Sequence, residues 1–201
     1  YLIANGLNNV AVAEMLLGHL DEAAVLMQEA IDIRADLLGD GNPLVASSVE
    51  NLANVRYRQR DYRQAAELLG RALSIRESVF GADSHPAAKT RFNTGVVSTK
   101  AGDFAHAFEL IDGALPVFRA HVGEQSQEVA GALNQRGKAL EGLGENARAM
   151  ADYRAALAIV DGFGAPASQD RLLILDNMAA LQCRTGLQDA GRQTLELGRR
   201  A

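Results

Sequence analysis

Apolar residues recur along this chain at helical spacing, and the recurrence itself returns every 42 residues. At 100° per residue, Leu7, Val10 and Ala11 take one side of a first helix that Leu16 and Leu17 close before Gly18. Leu26, Ala30, Ile31 and Ile33 mark the stripe of a second helix, which Asp21 is placed to cap. Leu37-Leu38-Gly39 stops it, and Pro43 restarts the chain as a residue suited to a first helical turn.

The plan then repeats. Asn9, Asn51, Asn93, Gln135 and Asn177 keep one beat, and small residues follow two places on, at Ala11, Ala53, Gly95, Gly137 and Ala179. A turn position falls at Gly18, Arg60, Gly102, Gly144 and Gly186, and a second small position at Ala23, Ala65, Ala107, Ala149 and Gly191. A fixed period of this size predicts stacked helix pairs that bury their apolar faces against neighbours. The expected fold is all-α: a right-handed superhelical solenoid of five antiparallel helix-turn-helix repeats. It forms one array over 1–201, with repeats near 2–42, 43–84, 85–125, 126–166 and 167–201. The last helix is expected to reach Ala201, with Gly191, Gly198, Arg199 and Arg200 leaving that end incompletely packed.

Three places strain the plan. Pro116 falls inside a second helix and predicts a kink. Gly162-Phe163-Gly164-Ala165-Pro166 reads as the most loop-like stretch. Arg91, Thr94 and Arg136 stand where large apolar residues are expected, which implies a local register shift or looser packing.

Composition changes the picture little. The net charge is −5, without a basic block, which argues against nucleic acid or an anionic membrane as partner. Cys183 is the single cysteine, so no intrachain disulfide and no cysteine metal cluster form. No apolar run reaches the roughly 20 residues of a membrane span. The chain starts at Tyr1 and reads as a piece of a larger protein. A cytoplasmic location is expected, with a periplasmic one open.

Leu7-Asn8-Asn9-Val10-Ala11, Ala72-Leu73-Ser74-Ile75-Arg76, and Gly81 with His85-Pro86 resemble the 42-residue tetratricopeptide repeats of kinesin light chains. Bacterial multidomain signalling proteins carry the same kind of repeat. The resemblance spans essentially the whole chain. It implies a protein-binding scaffold whose first helices line a concave groove.

On each first helix the positions opposite the apolar face fall together. They are Asn5, Asn9, Val12 and Leu16; Ser47, Asn51, Asn54 and Arg58; Lys89, Asn93, Val96 and Lys100; Gly131, Gln135, Lys138 and Gly142; Leu173, Asn177, Ala180 and Arg184. An amide offers a donor and an acceptor, which matches the main chain of an extended peptide. Bracing between repeats is the other role open to this ladder. Arg58, Lys89, Lys100, Lys138 and Arg184 make the face more basic than the chain, which favours an acidic or carboxylate-ended peptide. The carboxylate clamp of chaperone-binding repeats is not expected. Asn8, Val12 and Asn93 stand where it needs a Lys, an Asn and an Arg.

Other chemistry finds no footing. Gly131-x5-Gly137-Lys138-Ala139 has the wrong spacing for a phosphate loop and lacks its Ser or Thr. His19, His85, His106 and His121 show no metal-ligand spacing. Cys183 reads as a partly buried helix residue. The expectation is a non-catalytic adaptor, sensor or regulatory scaffold without cofactor or metal. A spacer or homo-oligomerisation platform is the alternative.

Overall fold

The computed structural model describes residues 2–164 and 168–199. Ala165, Pro166, Arg200 and Ala201, on which the exit-loop and chain-end expectations partly fall, lie outside the described residues. Among the described residues there are ten helices and no strand.

The chain divides into two compact units, Tyr1–Ala101 and Gly102–Ala201. The first holds α1 (Leu2–Leu17), α2 (Leu20–Leu38), α3 (Pro43–Arg58), α4 (Tyr62–Phe80) and α5 (His85–Ala101). The second holds α6 (Phe104–Val122), α7 (Gln127–Gly142), α8 (Asn146–Asp161), α9 (Gln169–Arg184) and α10 (Gln188–Arg199). Within each unit every helix packs on the one before it, and α1 also meets α3 as α7 meets α9.

The helix boundaries follow from local chemistry. Asn42 accepts from the Leu44 amide at 2.9 Å, with Pro43 in the first turn of α3, and Asp61 accepts from the Gln64 amide at 3.0 Å to open α4. Asp21 does not cap α2. The helix starts at Leu20 with His19 before it and without a side-chain cap, and Asp21 lies inside the first turn. There its carboxylate faces the positive end of the helix dipole. α6 runs unbroken from Phe104 to Val122 through an exposed Pro116.

The small positions are packing positions. Ala11, Ala23, Ala65, Ala107 and Ala149 are fully buried. A Cβ on Gly137 would lie 2.6 Å from the Tyr153 ring, so the aromatic ring occupies the space that a side chain would need.

The irregular polar positions keep the register by finding partners. Arg91 pairs with Glu77 at 2.5 Å. Arg136 meets Asp152 at 2.7 and 2.8 Å and Asp112 at 2.5 Å. The buried Thr94 hydroxyl donates to the Thr90 carbonyl at 2.8 Å. A charged group at a semi-buried position is tolerated when its hydrogen bonds are met.

Candidate functional site

In the N-terminal unit the amide ladder splits into two kinds of residue. Asn51 Nδ2 donates to Asn8 Oδ1 at 2.9 Å, which ties α3 to α1 across 43 positions of sequence. The same step back from Asn93 reaches Glu50, and Glu50 is already engaged. Its carboxylate accepts from Arg76 Nε at 3.1 Å, from Arg76 Nη2 at 2.6 Å, and from the Thr90 hydroxyl. Asn93 therefore makes no side-chain hydrogen bond among the described residues.

A cavity of about 450 Å³ opens at this point. Asn51, Asn54 and Asn93 are on its walls, with Tyr57, Leu69 and Val96. The Tyr57 ring leans on Tyr62, centroids 5.4 Å apart, which fixes one side. A second cavity of about 330 Å³ shares Glu50 and Asn93 and adds Arg76, Lys89 and Thr90. Amides thus stand over an apolar floor, an arrangement suited to holding a main chain while a side chain enters.

The charges of this unit are lopsided. Arg58, Lys89 and Lys100 are exposed, and none forms an ion pair among the described residues. Glu50, the acid nearest the cavity, is neutralised by Arg76. Asn9 is exposed, and its neighbour Asn5 accepts from Arg34 at 2.7 Å, so that amide oxygen is occupied.

The C-terminal unit disposes of the same residue types differently. Asn177 Nδ2 donates to Asn134 Oδ1 at 2.9 Å, repeating the brace. Gln135 is half-buried. Arg184 pairs with Glu141, which also accepts from the Tyr153 hydroxyl at 2.8 Å, so Arg184 presents no free cation. Lys138 is half-buried and engaged. Burial, reinforced by the Asp152 charge, pushes the Tyr153 phenol well above its ordinary range. The hydrogen bond to Asp152 holds the Arg136 guanidinium protonated.

Two side groups depart from the sequence reading. Cys183 is exposed, not partly buried. It lies near the end of α9, and a Cβ on Gly191 would lie 2.6 Å from its sulfur. His19, which linear spacing left alone, meets Glu14 at 2.6 Å across the α1–α2 turn, and Glu22 lies within 4.8 Å of both. Turn geometry made that trio, and no periodic signal announced it.

Comparison with known proteins agrees with this architecture. No curated protein sequence matches the chain. BtubC (BKLC) from P. vanneervenii superposes with a TM-score of 0.83 at 24% identity, over 96% of this chain and 77% of that one. A kinesin light chain of nearly identical TPR-like repeats from Podosopora anserina gives 0.82 at 17%, over 97% and 92%. The Rap protein complexed with Competence and Sporulation Factor gives 0.77 at 16%, over 98% and 53%. Family models described as tetratricopeptide repeat match residues 2–78, 46–120 and 130–159. With more than half its length matched and the helix pairs in place, the chain belongs to the tetratricopeptide repeat family.

Proposed function

We propose that this chain is a non-catalytic scaffold that binds an extended, acidic peptide on the first-helix face of its N-terminal unit. The observation that carries this reading is the unpartnered Asn93 amide on the wall of the 450 Å³ cavity beside Asn51 and Asn54. Asn51 and Asn177 are consumed in bracing, whereas the Asn93 amide is left on a cavity wall to meet a ligand backbone. Arg58, Lys89 and Lys100 supply the charge that selects an acidic partner. Opposite charge speeds encounter and excludes wrong partners more than it adds raw affinity. The structurally similar Rap protein, complexed with Competence and Sporulation Factor, supports a ligand-binding role for this fold.

The test is a peptide-array screen against the purified chain, followed by titration of hits at low and high salt. Acidic hits are expected. Their affinity should fall as salt rises, because the screening length is only about 8 Å at physiological ionic strength. Replacing Lys89 and Lys100 together by Ala should weaken binding and leave the melting temperature nearly unchanged, since exposed substitutions cost within about 0.5 kcal/mol. Hits that are neutral or basic and indifferent to salt would remove the electrostatic half of the proposal.

A further inference from the structure

Of the five equivalent turns that close a first helix, only the one between α3 and α4 lacks glycine. Gly18, Gly102, Gly144 and Gly186 take φ values of 90°, 84°, 79° and 86°, and Arg60 takes 63°. That left-handed conformation is disfavoured for a residue with a side chain. The Arg60 amide donates to the Tyr57 carbonyl at 3.0 Å, a bond that Gly18, Gly144 and Gly186 make equally well at their own turns. The Arg60 guanidinium is exposed and makes no hydrogen bond or ion pair among the described residues. No bond of that side chain within the chain offsets the strain, and residues held this way cluster where a ligand is gripped.

Arg60 does not stand alone. Asn54 of α3 and Val96 of α5 line the 450 Å³ cavity, and Arg58 and Lys100 follow them by four residues on the same helix faces. Both therefore stand one turn, about 6 Å, beyond the cavity at its turn-side end. Helical side chains lean towards the start of their helix, so both lean back towards the cavity. Both are exposed and without an ion pair among the described residues. The neighbouring acids are engaged elsewhere. Asp61 caps α4 through the Gln64 amide, Glu67 meets Arg63 at 3.3 Å, and Glu50 is held by Arg76. Three cations thus gather at one end of the cavity without a carboxylate to balance them.

We propose that this end of the cavity binds the phosphoryl group of a phosphorylated serine or threonine in the partner peptide. The inference rests on the peptide-binding reading of the same face and names the anion that the face takes. A phosphomonoester carries a charge of about −1.5 to −2 at pH 7 and three acceptor oxygens, which a carboxylate does not match. Guanidinium groups meet that geometry with paired donors, and the further cations neutralise the second charge. Asn54 and Asn93 on the cavity wall are placed to hold the adjoining main chain. A nucleic acid fits less well. Its backbone repeats a charge at every nucleotide and calls for a basic track, whereas this cluster is confined to one turn and the end of α5 on a chain of net charge −5.

The test is an array of short peptides, each printed with serine, glutamate or phosphoserine at its centre, probed with the 201-residue chain and followed by titration of the hits. The phosphoserine form is expected to bind about tenfold tighter than the glutamate form. Arg60→Gly should reduce that advantage about fivefold while raising the urea midpoint, so that lost binding is not lost folding. Arg63→Ala, at an exposed position already paired with Glu67, should leave the advantage intact. Equal affinity of the phosphoserine and glutamate forms, or an advantage that survives Arg60→Gly, would overturn this inference and leave the peptide reading standing. Binding of a single-stranded oligonucleotide without any phosphoserine preference would overturn it in favour of nucleic acid. Failure of all three peptide forms to bind would overturn both readings.

Discussion

At the scale of the residue, Arg60 shows how a repeat tolerates exceptions. Four of the five α–α turn positions are glycines with φ between 79° and 90°, and the fifth is Arg60 at φ 63°. A side chain in that conformation costs about 1 kcal/mol or more. Arg60→Gly is therefore expected to stabilise the N-terminal unit by about 0.5–1 kcal/mol despite the greater freedom of glycine in the unfolded chain. Urea denaturation checks this, and an unchanged or lowered midpoint would contradict it. Residue identity also reads directly at Gly137, where the period asked for something small and the Tyr153 ring supplies the reason.

At the scale of the element, identical residues at identical positions do different work because their neighbours differ. Asn51 is a tie between α3 and α1, whereas Asn93 is left free by the Arg76–Glu50 pair. Asn51→Ala should cost about 0.5–1.5 kcal/mol of stability through the lost bond. Asn93→Ala should leave the melting temperature almost unchanged and reduce peptide affinity several-fold. Melting and titration of both variants test the contrast, and two indistinguishable profiles would refute the division of labour. The amide ladder was legible in sequence as a pattern. Which rung braces and which faces a cavity was not, because that depends on residue 50 and the guanidinium that reaches it from α4.

At the scale of the whole molecule, the two units answer to different stresses. The N-terminal unit carries unpaired cations, and the C-terminal unit carries a packed set in which Arg184, Glu141 and Tyr153 are joined. The Tyr153 phenol ionises less readily in the folded unit than at its ordinary 10.0. The folded state therefore holds its proton more tightly than the unfolded state does. That contribution is complete below about pH 10 and is lost as the pH rises beyond it. The C-terminal unit should thus lose stability in alkali first, and Tyr153→Phe should abolish the extra alkaline slope at the cost of the bond to Glu141. Amide exchange followed above and below pH 10 in wild type and variant measures this. Equal slopes would place the alkaline sensitivity elsewhere.

The period alone determined the helix pairs, the turn positions and the small packing sites, because each is a local demand that recurs wherever one helix must lie close on another. The family followed from the same signal. Tertiary contact decided the rest. Arg91, Thr94 and Arg136 looked like faults in the register until Glu77, the Thr90 carbonyl, Asp152 and Asp112 were seen to satisfy them. The basic face looked uniform until Glu141 claimed Arg184. Val10 looked buried by its pattern and is exposed, because burial belongs to the partner surface and not to the residue. Periodicity states which faces must be covered; only the folded chain states what covers them.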